Sequence, residues 1–513
     1  MAAPRRGDPR GSRALLARVY AQLGWLHPVA FARMHARGWS LAPWLLVAWA
    51  AAAVVARALR PGELLEFGLI GAAGLLAWHV IGAGRSWRAR SIGWLLFTVP
   101  LLNTWPARAF VAQIDSLGDA TAIVAPATLI GLLVVLLASG SRPVGSRLAA
   151  TVGGLFVLSA LVSTAVSDDR GSAAALAWLG LVLPVAVAAV LASGKRTLRE
   201  RWAFVAAPAI AALVPAAMGL TAFYLAFGLP RGLQDFIDAE AALYRPGIVQ
   251  ELTFGNIAHL AAFSLLAMPV AAVAAFSPVL PTPARAGSAV SAVLLVAALF
   301  IAVSRAAFVV LSLMLAAAAV LAATRLWRHS TAAVAVSGAL AVAAAGSLWV
   351  GQVALAGEPS APEQPREVGA GEELLSTGDY SIAFRANAVR RGLDVFEANP
   401  LGVGSGEYAA HDPVHTAPHS LAVLLLAENG VLGGLALGAL LFLLAVSAWR
   451  LLTYTLPMEE WLLRAGCLLG AFGFLGFGVL AGTPLTVGPV ATWSLLLACQ
   501  IGSLLCSESA NES

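Results

Sequence analysis

About fourteen apolar runs follow one another along this chain, each near the length at which a helix crosses the hydrocarbon core of a bilayer. An apolar fraction of 59% with only 12% charged residues excludes an ordinary soluble domain. The sequence therefore predicts an all-α, polytopic integral membrane protein. Its apolar runs occupy residues 41–56, 64–83, 92–105, 120–139, 148–166, 173–192, 202–227, 256–276, 289–303, 306–323, 331–350, 421–449, 465–481 and 487–505.

The arginines indicate which connections face the cytoplasm, because cytoplasmic loops carry an excess of basic residues. They cluster in every second connection, which leaves the loop 351–418 on the opposite side. The expected organisation is a segment 1–40, either an interfacial helix on the cytoplasmic face or a disordered basic tail, followed by about eleven transmembrane helices over 41–350. A long loop with a short helix (351–418), about three more transmembrane helices (419–506) and a cytoplasmic tail (507–513) complete it.

A polar stretch at 381–434 interrupts the apolar pattern. Apolar residues at Ile382, Val389, Leu393 and Phe396 have helical spacing, which predicts a helix over 380–398. Asn399-Pro400 would end that helix. The stretch then runs through three alternate glycines and three histidines into the next apolar run, so we expect the chemistry of the chain here.

His419 directly precedes the apolar run at 421–449, at the predicted outer end of a helix. A neutral imidazole there can take a proton from a hydroxyl group; a histidine that only caps the helix is the alternative. His411, His415 and His419 are spaced as metal ligands on one helix would be. Because Pro413 and Pro418 interrupt a continuous helix, no metal site is expected, and His411 and His415 are candidate substrate contacts in the loop.

The arginines on the predicted outer side are candidates for binding an anion, since a guanidinium group pairs with two phosphate oxygens at once. Arg305 lies between two apolar runs, where anchoring to lipid phosphate is the alternative. Arg385, Arg390 and Arg391 lie in the predicted outer helix. For Arg390 and Arg391 a merely solvated helix face is an equal interpretation.

The three glycines would let backbone amides approach an anionic group closely, so Gly404 and Gly406 are candidate substrate contacts. No strand precedes them, which excludes a dinucleotide-binding fold. Glu428 lies inside an apolar run, where a carboxylate is expected to brace a neighbouring helix. Asn256 and His259 open another run from the outer side and are weaker candidates; helix capping by Asn256 is the alternative.

The order of these motifs resembles the O-antigen ligase and polymerase family. The shared pattern is an arginine (Arg385), then Asn399-Pro400 with three alternate glycines, a histidine (His419) and the sequence Glu-Asn-Gly at 428–430. The segment Ser304-Arg305 resembles the second arginine motif of that family. Family members usually carry asparagine after the histidine, whereas this chain has Ser420.

The resemblance implies a glycosyltransferase fold of the GT-C type in the bacterial inner membrane, acting at its periplasmic face. The donor would be a glycan on undecaprenyl pyrophosphate, with Arg305 and Arg385 on the pyrophosphate and His419 as general base. Inversion at the anomeric carbon and no metal or other cofactor are expected. The acceptor would be lipid A core, a growing glycan or another hydroxyl. Ligation is favoured over polymerisation; a polysaccharide transporter or flippase is the rival class, and no nucleic acid is involved.

Overall fold

The computed structural model of the chain describes residues 61–82, 86–103, 119–138, 147–193, 196–227, 257–302, 304–326, 380–412, 418, 420–481 and 489–506. All regular secondary structure in these residues is helical, which confirms the all-α prediction. Contacts divide the chain into Met1–Gly68, described from Pro61 onward, and Leu69–Ser513. The predicted segment 1–40, the runs at 41–56 and 331–350, the first part of the long loop and the tail 507–513 lie outside the described residues.

We number the described α-helices in chain order. A 3-10 turn, Val99–Asn103, follows α2, and a π-helical segment, Trp178–Val182, joins α5 to α6. The helices are α1 Pro61–Ile81, α2 Trp87–Thr98, α3 Asp119–Ala138, α4 Arg147–Val166, α5 Arg170–Ala177, α6 Leu183–Ser193, α7 Leu198–Ala211, α8 Leu213–Phe227, α9 Ile257–Phe276, α10 Thr282–Ile301, α11 Arg305–Leu326, α12 Tyr380–Ala398, α13 Tyr408–His411, α14 Leu421–Thr453, α15 Met458–Ala481 and α16 Pro489–Leu505.

Seven stretches of the described helices are long and apolar enough to cross a membrane, which supports a multi-pass membrane protein. The predicted run at 92–105 differs from expectation, because α2 ends at Thr98 and a 3-10 turn containing Pro100 follows it. The total of about fourteen spans remains a prediction. The seven stretches are Leu148–Val166, Leu198–Thr221, His259–Phe276, Thr282–Ile301, Ala306–Arg325, Leu421–Thr453 and Met458–Leu480.

Burial separates central helices from peripheral ones. Within Leu198–Thr221, 89% of the most apolar window is buried, whereas for Leu148–Val166 the share is 28%. A helix that is apolar all round needs an apolar surrounding on every side, supplied by protein or by lipid. Helices α7 and α8 therefore lie inside the bundle, and α4 presents most of its surface outward.

A buried ion cluster joins three helix ends. Arg201 on α7 lies 2.5 Å from Glu460 on α15 (Nη1 to Oε2), and Arg464 contacts the other oxygen of that carboxylate. Arg201 also donates to the carbonyl of Ser503 at 2.7 Å, and Arg464 donates to that of Cys506 at 2.9 Å. These carbonyls belong to the end of α16, where a helix leaves acceptors unpaired and favours cations. The cluster thus fixes α16 to α7 and α15.

Candidate functional site

Helix α12 is amphipathic, and its bounds confirm the helix predicted over 380–398. Ala388, Gly392 and Val395 are buried at helical spacing, whereas Arg390 is exposed on another face. By its place in the helix, Arg385 lies one turn before Ala388, in register with the buried positions. Helix α12 ends where expected, since both the backbone N–H and the side-chain amide of Asn399 donate to the carbonyl of Val395.

The buried face of α12 rests on the beginning of α14. A Cβ atom added at Gly392 would lie 3.1 Å from Cβ of Pro418 and would collide with Val423. Pro418 and Val423 stand on either side of His419 in the sequence. Contact at Gly392 therefore holds α12 against the segment that carries the predicted general base.

Helix α14 is broken at Gly430, which has φ 64° and ψ −159°. These angles are far from those of an α-helix and are accessible mainly to glycine. A break of this kind frees backbone carbonyl and N–H groups that an intact helix would pair internally. The freed groups must find other partners because this part of α14 is buried.

The loop after α12 supplies those partners. It contains three glycines in the left-handed region: Gly402 at φ 92°, Gly404 at φ 115° and Gly406 at φ 83°. The loop crosses α14 at the break and forms a short backbone ladder with it. Three bonds make up the ladder: Val403 N–H to Ala427 O at 2.9 Å, Gly404 N–H to Glu428 O at 3.0 Å, and Val431 N–H to Pro400 O at 3.0 Å.

The loop and α14 approach each other so closely at this crossing that neither segment has room for a side chain there. A Cβ atom at Gly402 would lie 2.7 Å from the nitrogen of Gly430, and one at Gly430 would lie 2.5 Å from the carbonyl oxygen of Pro400. Both obstacles are backbone atoms, which cannot swing away as a side chain can. Gly402 and Gly430 must therefore both be glycine for the loop and α14 to approach this closely. We call residues 399–407 together with 427–431 the glycine crossing.

Side chains from α4 secure the glycine crossing. The hydroxyl groups of Ser163 and Ser405 lie 3.0 Å apart, and Ser163 also donates to the carbonyl of Glu428 at 3.2 Å. Ser405 donates to the side-chain oxygen of Asn429 at 3.1 Å. All of these groups are buried. The residues contributed by α4, by the loop and by α14 thus form one polar network.

Glu428 points its buried carboxyl group at the loop. The backbone N–H groups of Gly406 and Tyr408 donate to it, while Oε2 has no hydrogen-bond partner among the described residues. The sequence predicted that amides of Gly404 and Gly406 would face an anionic substrate. In the structure Glu428 takes both amides, through its main-chain carbonyl and its side chain respectively.

Glu407 fixes the other side of the loop to the beginning of α5. Its carboxylate accepts the hydroxyl of Ser167 and the backbone N–H groups of Asp168 and Asp169, the latter two at 3.3 and 2.9 Å. A carboxylate is favourable at that position because it meets the positive end of the helix dipole. The loop is thereby held between α14 and α5.

Arg391 forms an ion pair instead of pointing freely outward. Its Nε lies 2.8 Å from Oδ1 of Asp412, and that carboxylate is buried. The pair joins α12 to the chain after α13. Nearby, burial and the charge of Asp412 raise the pKa of Tyr408 to about 12. The arrangement stabilises α13, leaving Arg390 as the exposed cation of this part of α12.

The raised pKa of Tyr408 predicts an alkaline stability loss. The unfolded phenol ionises near pH 10, whereas the folded one stays neutral to about pH 12, so the folded state loses stability across that interval. We expect thermal unfolding scans of the purified protein to show this loss, and the variant Tyr408→Phe to show less of it. Its hydroxyl has no partner among the described residues, so the variant should fold normally at pH 7. An equal alkaline loss in both proteins would contradict the assignment.

The backbone at His411 bears on whether the histidines lie on one helix. Helix α13 ends at His411, and Asp412 is extended at φ −92° and ψ 123°, so His411 does not continue as a helix toward position 415. Ligand atoms of Asp168, Glu407 and His411 do lie within 4.8 Å of one another. The Glu407 oxygens already accept three hydrogen bonds, which argues against their use for a cation.

Several predicted residues fall outside what the structure describes. His419, His415 and Asn256 lie outside the described residues, as do the side chains of Arg305 and Arg385. Arg305 is the first residue of α11, a helix that contacts α14. His259, one of the weaker candidates, packs edge-on against Trp493 with ring centroids 5.8 Å apart.

Sequence reasoning missed the residues that hold the loop. Ser163 and Ser167 sit one turn apart near the end of an apolar run, next to an acidic connection, and that spacing was the available signal. Glu407, Asp412 and Ser405 carry no local pattern, because their partners lie far away in the sequence.

Residues 290–438 match a family model, Wzy_C, described as O-antigen ligase. The matched region begins in α10 and ends in α14, and so contains Arg305, Arg385, His419 and the glycine crossing. A comparison with curated proteins found no match. The family match confirms the resemblance drawn from the motifs.

Proposed function

We propose that this membrane protein, which carries an O-antigen ligase domain across residues 290–438, transfers a glycan from undecaprenyl pyrophosphate to an acceptor hydroxyl at the periplasmic face of the bacterial inner membrane. One observation carries the proposal: the glycine crossing fixes α12, the loop and α14 around the segment that bears His419. Catalytic groups must be held within a fraction of an ångström by rigid surroundings. The matched region supplies that rigidity where the motifs predict the chemistry.

His419 acts as the general base. Its neighbours Pro418 and Ser420 are both buried, so the backbone is held on each side of it. The imidazole takes the proton of the acceptor hydroxyl as the hydroxyl oxygen attacks the anomeric carbon. The bond from that carbon to the pyrophosphate oxygen breaks, undecaprenyl pyrophosphate leaves, and the configuration inverts. A base of this kind contributes about 10²- to 10⁴-fold to the rate.

Arg305 and Arg385 bind the pyrophosphate and stabilise the negative charge that develops on it as it leaves. Arg385 lies on α12 in register with the face that meets α14, and Arg305 begins a helix that also contacts α14. Arg390 is exposed and contacts the glycan, together with His415. Arg391 pairs with Asp412, so its role is to hold α12 and α13 together.

Substitution of the proposed base tests the function. We expect His419→Ala to lower glycan transfer about 10²- to 10⁴-fold in proteoliposomes supplied with a lipid-linked donor. The variant His79→Ala is the matched control, because this half-buried histidine lies on α1, outside the matched region 290–438. Transfer is compared at equal protein level. Full activity in His419→Ala would refute the proposal.

The acceptor is tested separately, since ligases and polymerases share the same outer motifs. The description of the matched family, O-antigen ligase, favours ligation, and we propose lipid A core as the acceptor. Mass analysis of surface polysaccharide from cells lacking the protein separates the two. We expect uncapped core; core bearing single repeat units would indicate a polymerase instead. Unchanged polysaccharide that accumulates inside the membrane would indicate a transporter.

A further inference from the structure

Two cavities follow one another between α4 and the hairpin arm formed by α5, the π segment and α6. The outer cavity, of about 440 Å³, is lined by Leu161, Thr164, Arg170, Trp178 and Val182 together with alanines of both helices. The inner cavity, of about 320 Å³, continues along the same helices and reaches α14, α15 and α16. We call the two cavities together the hairpin seam.

The seam lies beside a widened segment of helix. In the π segment the N–H of Leu183 donates to the carbonyl of Trp178, five residues earlier, which widens the helix. Pro184 has no N–H to restore the normal pairing. Residues of this segment line both cavities, Trp178 the outer one and Leu181 the inner one. The widened π segment therefore borders both cavities.

The surroundings of the seam are apolar and face the membrane. At the outer cavity Leu161, on the least buried of the apolar stretches, is 63% exposed, and Trp178 of the π segment is 47% exposed. Apolar cavities hold no water and accept hydrocarbon. In a bilayer the hydrocarbon comes from lipid, so the seam offers a lipid chain an apolar surrounding.

Arg170 is the cation at the outer cavity. It lines the outer cavity and makes no hydrogen bond or ion pair within the described part of the chain. A guanidinium group at the end of an apolar cleft matches a phosphate attached to a hydrocarbon chain. Two further contacts bring α5 to the glycine crossing: Glu407 accepts the backbone N–H groups of Asp168 and Asp169 just before α5, and Leu176 lies against Gly406.

We propose that the hairpin seam holds the polyprenyl chain of the lipid-linked donor, with Arg170 on the phosphate nearest the chain. This inference rests on the proposed function, because it extends the donor site from the pyrophosphate into the membrane. The position of α5 beside the glycine crossing favours the donor over a phospholipid. A phospholipid in the seam is the alternative that the experiment must separate.

Photolabelling measures occupancy without requiring glycan transfer. The full-length protein in nanodiscs is exposed to a polyprenyl phosphate that carries a diazirine on its chain. We expect Arg170→Gln to lower labelling about tenfold, and Ala174→Phe, which fills the outer cavity, to lower it by a similar factor. Ala316→Phe and Arg199→Gln are the controls, since both side chains are exposed on helices (α11 and α7) that line neither cavity. The labelled peptides should come from α4 and α5.

The results that would contradict the inference can be told apart from the result that would contradict the proposed function. Equal labelling of Ala174→Phe and the unchanged protein excludes the seam. If Ala174→Phe does not fold, Ala165→Phe at the exposed rim of the same cavity replaces it in that comparison. Displacement by phosphatidylglycerol as effective as that by unlabelled polyprenyl phosphate assigns the seam to phospholipid. If seam labelling is normal but His419→Ala retains full transfer, the proposed function fails while the lipid site stands.

Discussion

The variant Gly430→Ala is expected to lose glycan transfer to the background level, at or below the residual rate of His419→Ala. An alanine at φ 64° and ψ −159° is strained by about 1–2 kcal/mol or more. Its Cβ would also lie 2.5 Å from the carbonyl oxygen of Pro400. The only relief is to separate the loop from α14, which breaks the backbone ladder and releases the segment around His419. Gly402→Ala should have the same effect, because its Cβ meets the same backbone from the other side.

Gly438→Ala is the matched control for this prediction. It makes the same chemical change on the same helix, at a position where an added Cβ meets nothing within 4 Å. Alanine also has the higher helix propensity, so Gly438→Ala should retain activity and gain slight stability. Transfer is measured in proteoliposomes, with protein amount determined by immunoblot. Normal activity in Gly430→Ala would show that the glycine crossing does not support catalysis.

The variant Glu460→Ala is expected to destabilise the protein by about 3–5 kcal/mol, because it leaves the buried Arg201 guanidinium without its counter-charge. Arg201 is 1% exposed, so water cannot replace the lost carboxylate. The end of α16 should loosen at the same time, because Arg201 and Arg464, which both pair with Glu460, also donate to the last carbonyl groups of α16. Thermal unfolding in detergent measures the loss.

Two further variants separate loss of charge pairing from loss of packing. Glu459→Ala removes the neighbouring carboxylate, which is only half-buried, and should leave the unfolding temperature nearly unchanged. The double variant Arg201→Met/Glu460→Leu removes both charges and should recover much of the stability lost in Glu460→Ala. An equal loss in the single and double variants would indicate that the shapes of these side chains, not their charges, stabilise the helix ends.

The local sequence pattern was sufficient to predict the helices, but it was not sufficient to predict the contacts that join them. Uniform apolar runs predicted the long helices, and Asn399-Pro400 correctly predicted the end of α12. The run from Leu421 is interrupted only at Glu428-Asn429-Gly430 and becomes apolar again at Val431, so hydropathy describes it as one helix. The break becomes meaningful only beside Gly402, about thirty positions earlier, and hydropathy contains no information about that pairing.

The candidate site was likewise predicted only in part. The glycines and Glu428 were recognised as a group, but their amides were expected to face a substrate and instead face Glu428. A sequence cannot show which of two anions occupies an amide cluster, since internal and external carboxylates and phosphates satisfy the same donors. Ser163 and Ser167 were overlooked because single hydroxyls are common in apolar helices, where they usually bond to their own backbone.

The break at Gly430 divides α14 into two helical parts, here called rods, that make different contacts. The first rod, before the break, is tied through backbone and side chains to α4, α12 and the loop, whereas the second rod, residues 431–453, crosses the bundle. A bilayer of another thickness changes the tilt that a membrane-crossing helix adopts. Val431, the first residue of the second rod, donates to the carbonyl of Pro400 at 3.0 Å, so the loop holds both sides of the break and a change of tilt has to be taken up in the second rod beyond Val431.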